Sequence, residues 1–146
     1  MSASVGTIYN LLGGRETLPN NPVRSYRDLL GLVRTGIPKV AVTYFATSIA
    51  AKTALTNAQV RNFIVAEPTF RRNDLFKNAT AEKLLRLANL RARAEEIIGT
   101  EDGANEFLFR PHPELEDESP FECAQTEMGA RAAEEILERA AYGLPV

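Results

Sequence analysis

Residues 78–99 read NATAEKLLRLANLRARAEEIIG. Leu84, Leu87, Ala88, Leu90 or Arg91, Ala94, Ile97 and Ile98 recur at the spacing of one helical apolar face. Asn78 suits the cap before them and Gly99 a left-handed stop after them. The spacing predicts one helix over about Ala79–Ile98, the longest in the chain. Its charges change sign along its length, from Lys83, Arg86, Arg91 and Arg93 to Glu95 and Glu96. A helix of this kind reads as a spine joining two modules of opposite charge.

The rest of the chain bears the same division. Residues 1–93 carry 14 Lys+Arg against 5 Asp+Glu, a balance of +9; residues 94–146 carry 3 Arg against 14 Asp+Glu, a balance of −11, which together give the net −2. A basic module suits phosphate, whereas an acidic one must face water or a protein. An adaptor with one end for nucleic acid and the other for a protein partner is the simplest reading. With 146 residues, 45% apolar and 25% charged, the composition is that of an ordinary globular protein able to bury a core. The single cysteine, Cys123, excludes an internal disulfide and fits a reducing cytoplasm. The N-terminal stretch has neither the basic start nor the long apolar run of a secretory signal. Val40–Ala51 is too short to span a bilayer.

Outward from the spine, both flanks are helical in pattern. On the N-terminal side, residues 1–24 are broken by Gly13-Gly14 and by Pro19-Asn20-Asn21-Pro22, and are expected to be a loose arm with one short turn near Ile8–Leu12. Ser25 opens a helix whose Tyr26, Leu29, Leu30 and Val33 have the spacing of a buried face. A second helix runs from Lys39, with Val40, Val42 or Ala41, Phe45 and Ile49 inward. Thr56 and Gln59 form a capping box for a third, which buries Val60, Phe63 and Ile64. After the break Ala66-Glu67-Pro68, Pro68 suits the first position of a short polar helix, Thr69–Phe76. On the C-terminal side, Thr100 begins a helix that buries Ala104, Phe107 and Leu108. Ser119 and Glu122 form a second capping box around Pro120. A last helix, about Thr126–Ala141, turns Met128, Ala132, Ala133, Ile136, Leu137 and Ala140 inward. No segment alternates with period two for long enough to make a strand. The expected fold class is all-α.

Two candidate sites follow. Residues 57–76 have the spacing of a helix-turn-helix, in which the second helix enters a major groove. Arg71 and Arg72 are planar donors for phosphate or guanine, Thr69 lies near a helix N-terminus, Asn73 can read adenine, and Arg61, Lys77 and Lys83 widen the basic surface. An ordinary helical hairpin with solvated arginines fits the same spacing. The second site is the tail Tyr142-Gly143-Leu144-Pro145-Val146, uncharged beside the acidic residues Glu134, Glu135 and Glu138. An apolar tail either packs at home or inserts into a partner. Elsewhere the chemistry is thin. His112, the only histidine, has no Cys or His near it, which argues against a metal site or an imidazole triad. Cys123 reads as core, and Glu114, Glu116, Asp117 and Glu118 as a solvated loop. No catalytic constellation, phosphate loop or cofactor fingerprint is present, so a non-enzyme without cofactor is expected.

From about residue 27 onward the chain resembles the antitoxins of the Xre/MbcA/ParS family. The segments that carry the resemblance are Leu32-Val33-Arg34-Thr35-Gly36-Ile37-Pro38, Thr69-Phe70-Arg71-Arg72, Glu82–Ala88, Ala104–Pro111, Pro120-Phe121, Thr126–Ala130 and Tyr142-Gly143. Pro68, Phe107 and Asp117-Glu118-Ser119 depart from the usual pattern. The resemblance implies an N-terminal arm (1–24), an Xre-like helix-turn-helix domain (25–78), a connecting helix (79–99) and a small helical toxin-binding domain (100–146). It implies a bacterial, cytoplasmic type II antitoxin. Such a protein occludes a RES-domain toxin that consumes NAD or uses it for ADP-ribosylation, and represses its own operon as a homodimer on operator DNA. Phe107, Glu127, Glu134, Glu138 and Tyr142–Val146 would meet the toxin, with the Val146 carboxylate in a site built for pyrophosphate. A stand-alone helix-turn-helix regulator with a protein-interaction domain is the competing reading.

Overall fold

A computed structural model describes residues 3–20 and 22–143. The fold is all-α, built around α6, Asn78–Ile98. Ala81, Leu84, Leu87, Ala88, Leu90, Ala92 and Ala94 are all buried, which places apolar contacts on nearly every side of this helix. Its neighbours are α1 (Val5–Leu11), α2 (Tyr26–Thr35), α7 (Glu101–Phe109) and α9 (Glu127–Ala141). Both Leu90 and Arg91 face inward. Arg91 is only 4% exposed, yet its Nε donates to Asn105 Oδ1 at 2.7 Å and its Nη1 lies 3.6 Å from Glu95. Gly99 ends the helix in the left-handed conformation, as its position predicts.

Residues 3–20 are not a loose arm. Ser4 caps α1, and Ile8, Leu12 and Leu18 are buried in the common core. The Ala3 N–H donates to Asn89 Oδ1, and the Ser4 N–H to Glu96. The two glycines that seemed only to break a helix instead reverse the chain. Gly13 and Gly14 both have positive φ, and a Cβ on Gly13 would run into the Thr17 side chain. The reversal lets Leu18 return to the core that Leu12 has just left.

Ser25 opens α2 with a full capping box to Asp28. Its buried stripe is Leu29 and Leu32, and not the expected Tyr26, Leu29, Leu30 and Val33; Tyr26 is 47% and Leu30 51% exposed. The chain then makes a two-residue strand β1 (Ile37–Pro38), α3 (Lys39–Ala50), α4 (Asn57–Asn62) and α5 (Glu67–Arg72). On α3, Val40 points outward while Phe45 and Ile49 are buried as read. The Thr56–Gln59 capping box is present in both directions. In α5, Glu67 comes first and Pro68 second, and the helix stops at Arg72. Leu75–Phe76 are thus not helical. They form β2, which pairs antiparallel with β1 so that Ile37 faces Phe76. Asn73 makes the exit, adopting an extended backbone while its Nδ2 donates to Thr69 O at 2.8 Å.

In the C-terminal half, Thr100 caps α7, a 3-10 turn covers Pro113–Leu115, and the Ser119–Glu122 box opens α8, Pro120–Cys123. Thr126 caps α9. Gly129 allows α9 to cross the end of α8 closely, because any Cβ there would overlap the Cys123 carbonyl. On α9 the buried stripe is Ala130, Ala133, Ile136 and Leu137; Met128, expected inward, is 82% exposed. Phe121 joins the halves. Its ring meets Phe63 edge-on at 5.2 Å and Phe109 at 4.9 Å, so one hydrophobic cluster runs from Ala3 to Leu137.

Arg86 fastens the α8–α9 corner to α6. Its Nε donates to Ala124 O at 2.9 Å, its Nη2 to Gln125 O at 2.7 Å, and its Nη1 pairs with Glu82 at 3.1 Å. Only a planar fork spans two successive carbonyls in this way. Arg86→Ala is expected to lower the unfolding free energy by about 2–4 kcal/mol, since both carbonyls lose a charged donor. Arg86→Lys should recover less than half of that loss, and urea titration of both variants checks it. A Lys variant as stable as the parent would contradict the clamp.

Candidate functional sites

The basic candidates divide into engaged and free groups. Arg61, on α4, is turned inward. It pairs with Glu67 at 2.5 Å, and its guanidinium lies 4.2 Å from the Phe70 ring centroid. Phe70 in turn stacks on Phe76, and the Lys39 ammonium lies 4.7 Å from the same Phe70 centroid. Arg71 reaches the other Glu67 oxygen at 3.3 Å. The Arg61 hydrogen bond, more than the Arg71 contact, holds the Glu67 carboxyl below its ordinary range. This tie is made above the ordinary Glu value and lost as pH falls through the lowered one. Asn73 is committed to Thr69 O, and Thr69 itself is partly exposed. Arg72 and Lys77 are exposed and make no hydrogen bond or ion pair among the described residues.

The acidic candidates fall in two concavities that flank α9. Glu138 and Tyr142 line a shallow one of about 390 Å³ with Glu114, Leu115, Ile136 and Arg139. Here Arg139 bonds Glu114 at 2.5 Å and ties the 110–119 loop to α9, and that bond lowers the Glu114 pKa. Tyr142 is 83% exposed, with Gly143 beyond it at positive φ. Leu144, Pro145 and Val146 lie outside the described residues. Phe107 is partly buried and packs against the core cluster.

Glu127 and Glu134 line the other concavity, a groove of about 590 Å³ between α2, α6 and α9. Glu127 lies 4.0 Å from Arg86 and 3.8 Å from Arg131. Glu134 accepts from Asn89 Nδ2 at 2.9 Å and is half-buried, and that burial raises its pKa. The rest of this groove escaped the sequence reading. Tyr26, Leu30 and Val33 form its α2 wall, and the apolar spacing that marks them is the same signal that predicts a buried face.

Other side chains offer little reactivity. Burial pushes the Cys123 thiol up, which keeps it protonated at neutral pH. His112 Nδ1 accepts from the Glu114 N–H at 3.2 Å. Among the described residues no cluster of metal-ligating side chains occurs, and no helix is long and apolar enough to cross a membrane.

Residues 93–143 match the family model of the antitoxin Xre/MbcA/ParS C-terminal toxin-binding domain. That stretch holds the end of α6, all of α7, α8 and α9, and the Tyr142-Gly143 exit. No curated protein matches the chain.

Glu134 supplies a pH test of the groove. Its raised value means that the site stabilises the fold fully below the ordinary Glu pKa and loses that contribution as pH rises through the raised one. Glu134→Gln keeps the acceptor for Asn89 and removes the charge. Its Tm is expected to exceed that of the parent at pH 7 and to converge with it below pH 4.5, the ordinary value. Equal Tm values at pH 7 would contradict the assignment.

Proposed function

From a C-terminal part that belongs to the toxin-binding domains of Xre/MbcA/ParS antitoxins, we propose that this protein neutralises a RES-domain toxin by covering its NAD site. It is a binding protein and not an enzyme in this reading. The observation that carries the proposal is the family match over residues 93–143, whose end includes a highly exposed Tyr142. Tyrosine brings large apolar area and a hydroxyl at small entropic cost, which makes it a frequent anchor in interfaces. The residues after it are uncharged, and the helix before it carries Glu134, Glu135 and Glu138. A pocket for the NAD pyrophosphate needs cationic groups. An acidic helix would be drawn toward that mouth and would orient the tail as it enters.

The same reading gives the N-terminal half its task. Repression of the protein's own operon in the bacterial cytoplasm would use the basic face, with the unpaired Arg72 and Lys77 on phosphates and Arg71 beside them. Arg61 would serve this face indirectly, by holding α5 against α4 through Glu67 and Phe70. Binding as a homodimer follows from the two-fold symmetry of paired half-sites.

Removal of residues 142–146 should abolish neutralisation of toxin activity and leave the melting temperature within a few degrees of the parent, since Tyr142 is 83% exposed at the edge of α9. A truncated protein that still neutralises fully would refute the tail mechanism. Arg72→Ala with Lys77→Ala should weaken operator binding and reduce the slope of log K against log[salt] by about 2, roughly one per phosphate lost. An unchanged slope would assign this face to protein contacts.

A further inference from the structure

We propose that the toxin also docks in the groove between α2, α6 and α9, so that its contact surface crosses from the C-terminal domain onto α2. The inference rests on the antitoxin reading and names a surface that the family match does not cover. The α9 wall of the groove, from Glu127 to Glu134, lies within residues 93–143, whereas the α2 wall, Tyr26 to Arg34, lies outside them. The two walls share a floor that includes Leu85 of α6. A toxin seated on α9 therefore meets a continuous surface that does not stop at the domain edge.

The chemistry of the groove selects an apolar partner segment. Tyr26 and Leu30 are about half exposed, one helical turn apart, and Val33 follows on the same side. Exposed apolar side chains gathered at a concavity mark an interaction site, unlike the same residues scattered singly. A volume of about 590 Å³ is in the range of built binding sites and admits several side chains. The rim charges are largely matched at home, Arg86 with Glu82 and Arg131 with Glu127. Arg34 is exposed and Glu134 half-buried, each without an ion-pair partner among the described residues, and Glu134 is already engaged by Asn89. The fitting occupant is thus an amphipathic segment of the toxin that presents aliphatic or aromatic anchors to Tyr26 and Leu30 and a carboxylate to Arg34. A groove of this composition would add affinity to the tail, because two contacts on one rigid body act together.

Isothermal titration of the full-length chain with its purified cognate toxin tests this. Tyr26→Ser with Leu30→Asp is expected to raise Kd at least 100-fold, and Arg34→Ala about 5-fold. Val40→Asp, an equally exposed apolar position on α3 away from the groove, should leave Kd unchanged. If the double variant melts early, the milder Leu30→Ala is expected to raise Kd about 10-fold with an unchanged melting curve. Parental affinity in the groove variants overturns the proposal while leaving the antitoxin reading intact. Failure of the parent chain to bind the toxin overturns the antitoxin reading itself, and this inference with it. Sedimentation of the same variants covers the other occupant. A shift from dimer to monomer at unchanged toxin affinity would give the groove to a second copy of the chain and overturn the proposal.

Discussion

Two arginines of α6, Arg91 and Arg86, hold the C-terminal half of the chain in place. Arg91 is tied through its Nε to Asn105 and thereby fixes α7. Arg86 holds the carbonyls of Ala124 and Gln125 and thereby fixes the α8–α9 corner. A buried guanidinium left unpaired is strongly destabilising, so each arginine makes its neighbour's position part of the cost of folding. The part of the chain that matches the toxin-binding family model is therefore not appended to a separate N-terminal unit. It closes over a helix that α1 and α2 cover from other sides.

The long helix passes from cations to anions along its axis, while the acidic α9 lies against its basic part, with Glu127 at Arg86 and Glu134 at Asn89. Arg72 and Lys77 face solvent on the N-terminal side, while Glu135 and Glu138 do so on α9. Where opposite charges do meet, at Arg86–Glu127 and Arg139–Glu114, they fasten elements to each other. The groove lies along that seam and draws on both halves. In the proposed docking, that position would let α2 serve the same partner as the family-matched stretch, which begins near the end of α6.

Much of the local structure was legible because its causes are local. The capping boxes at Thr56–Gln59 and Ser119–Glu122 need only residues three apart, and both form as read. Gly99 stops α6 for a reason contained in its own backbone. What escaped depends on distant partners. Leu75–Phe76 become a strand because Ile37–Pro38 lie alongside, and no local pattern announces a two-residue pairing. Residues 3–20 look weak in isolation, yet the Gly13-Gly14 reversal returns Leu18 to a core made elsewhere. Tyr26, Leu30 and Val33 show the deeper limit. Their spacing says that one helix face is apolar, but whether that face meets the protein's own core or a partner is decided by how α2 rotates on α6. Met128 is the same case on α9.

Hydrogen–deuterium exchange on the full-length chain, alone and saturated with its toxin, tests the central claim most directly. If the binding surface crosses the seam, toxin should slow exchange in residues 26–35 of α2 as well as in residues 127–143. Protection confined to the C-terminal segment, with α2 exchanging as it does in the free protein, would contradict the account.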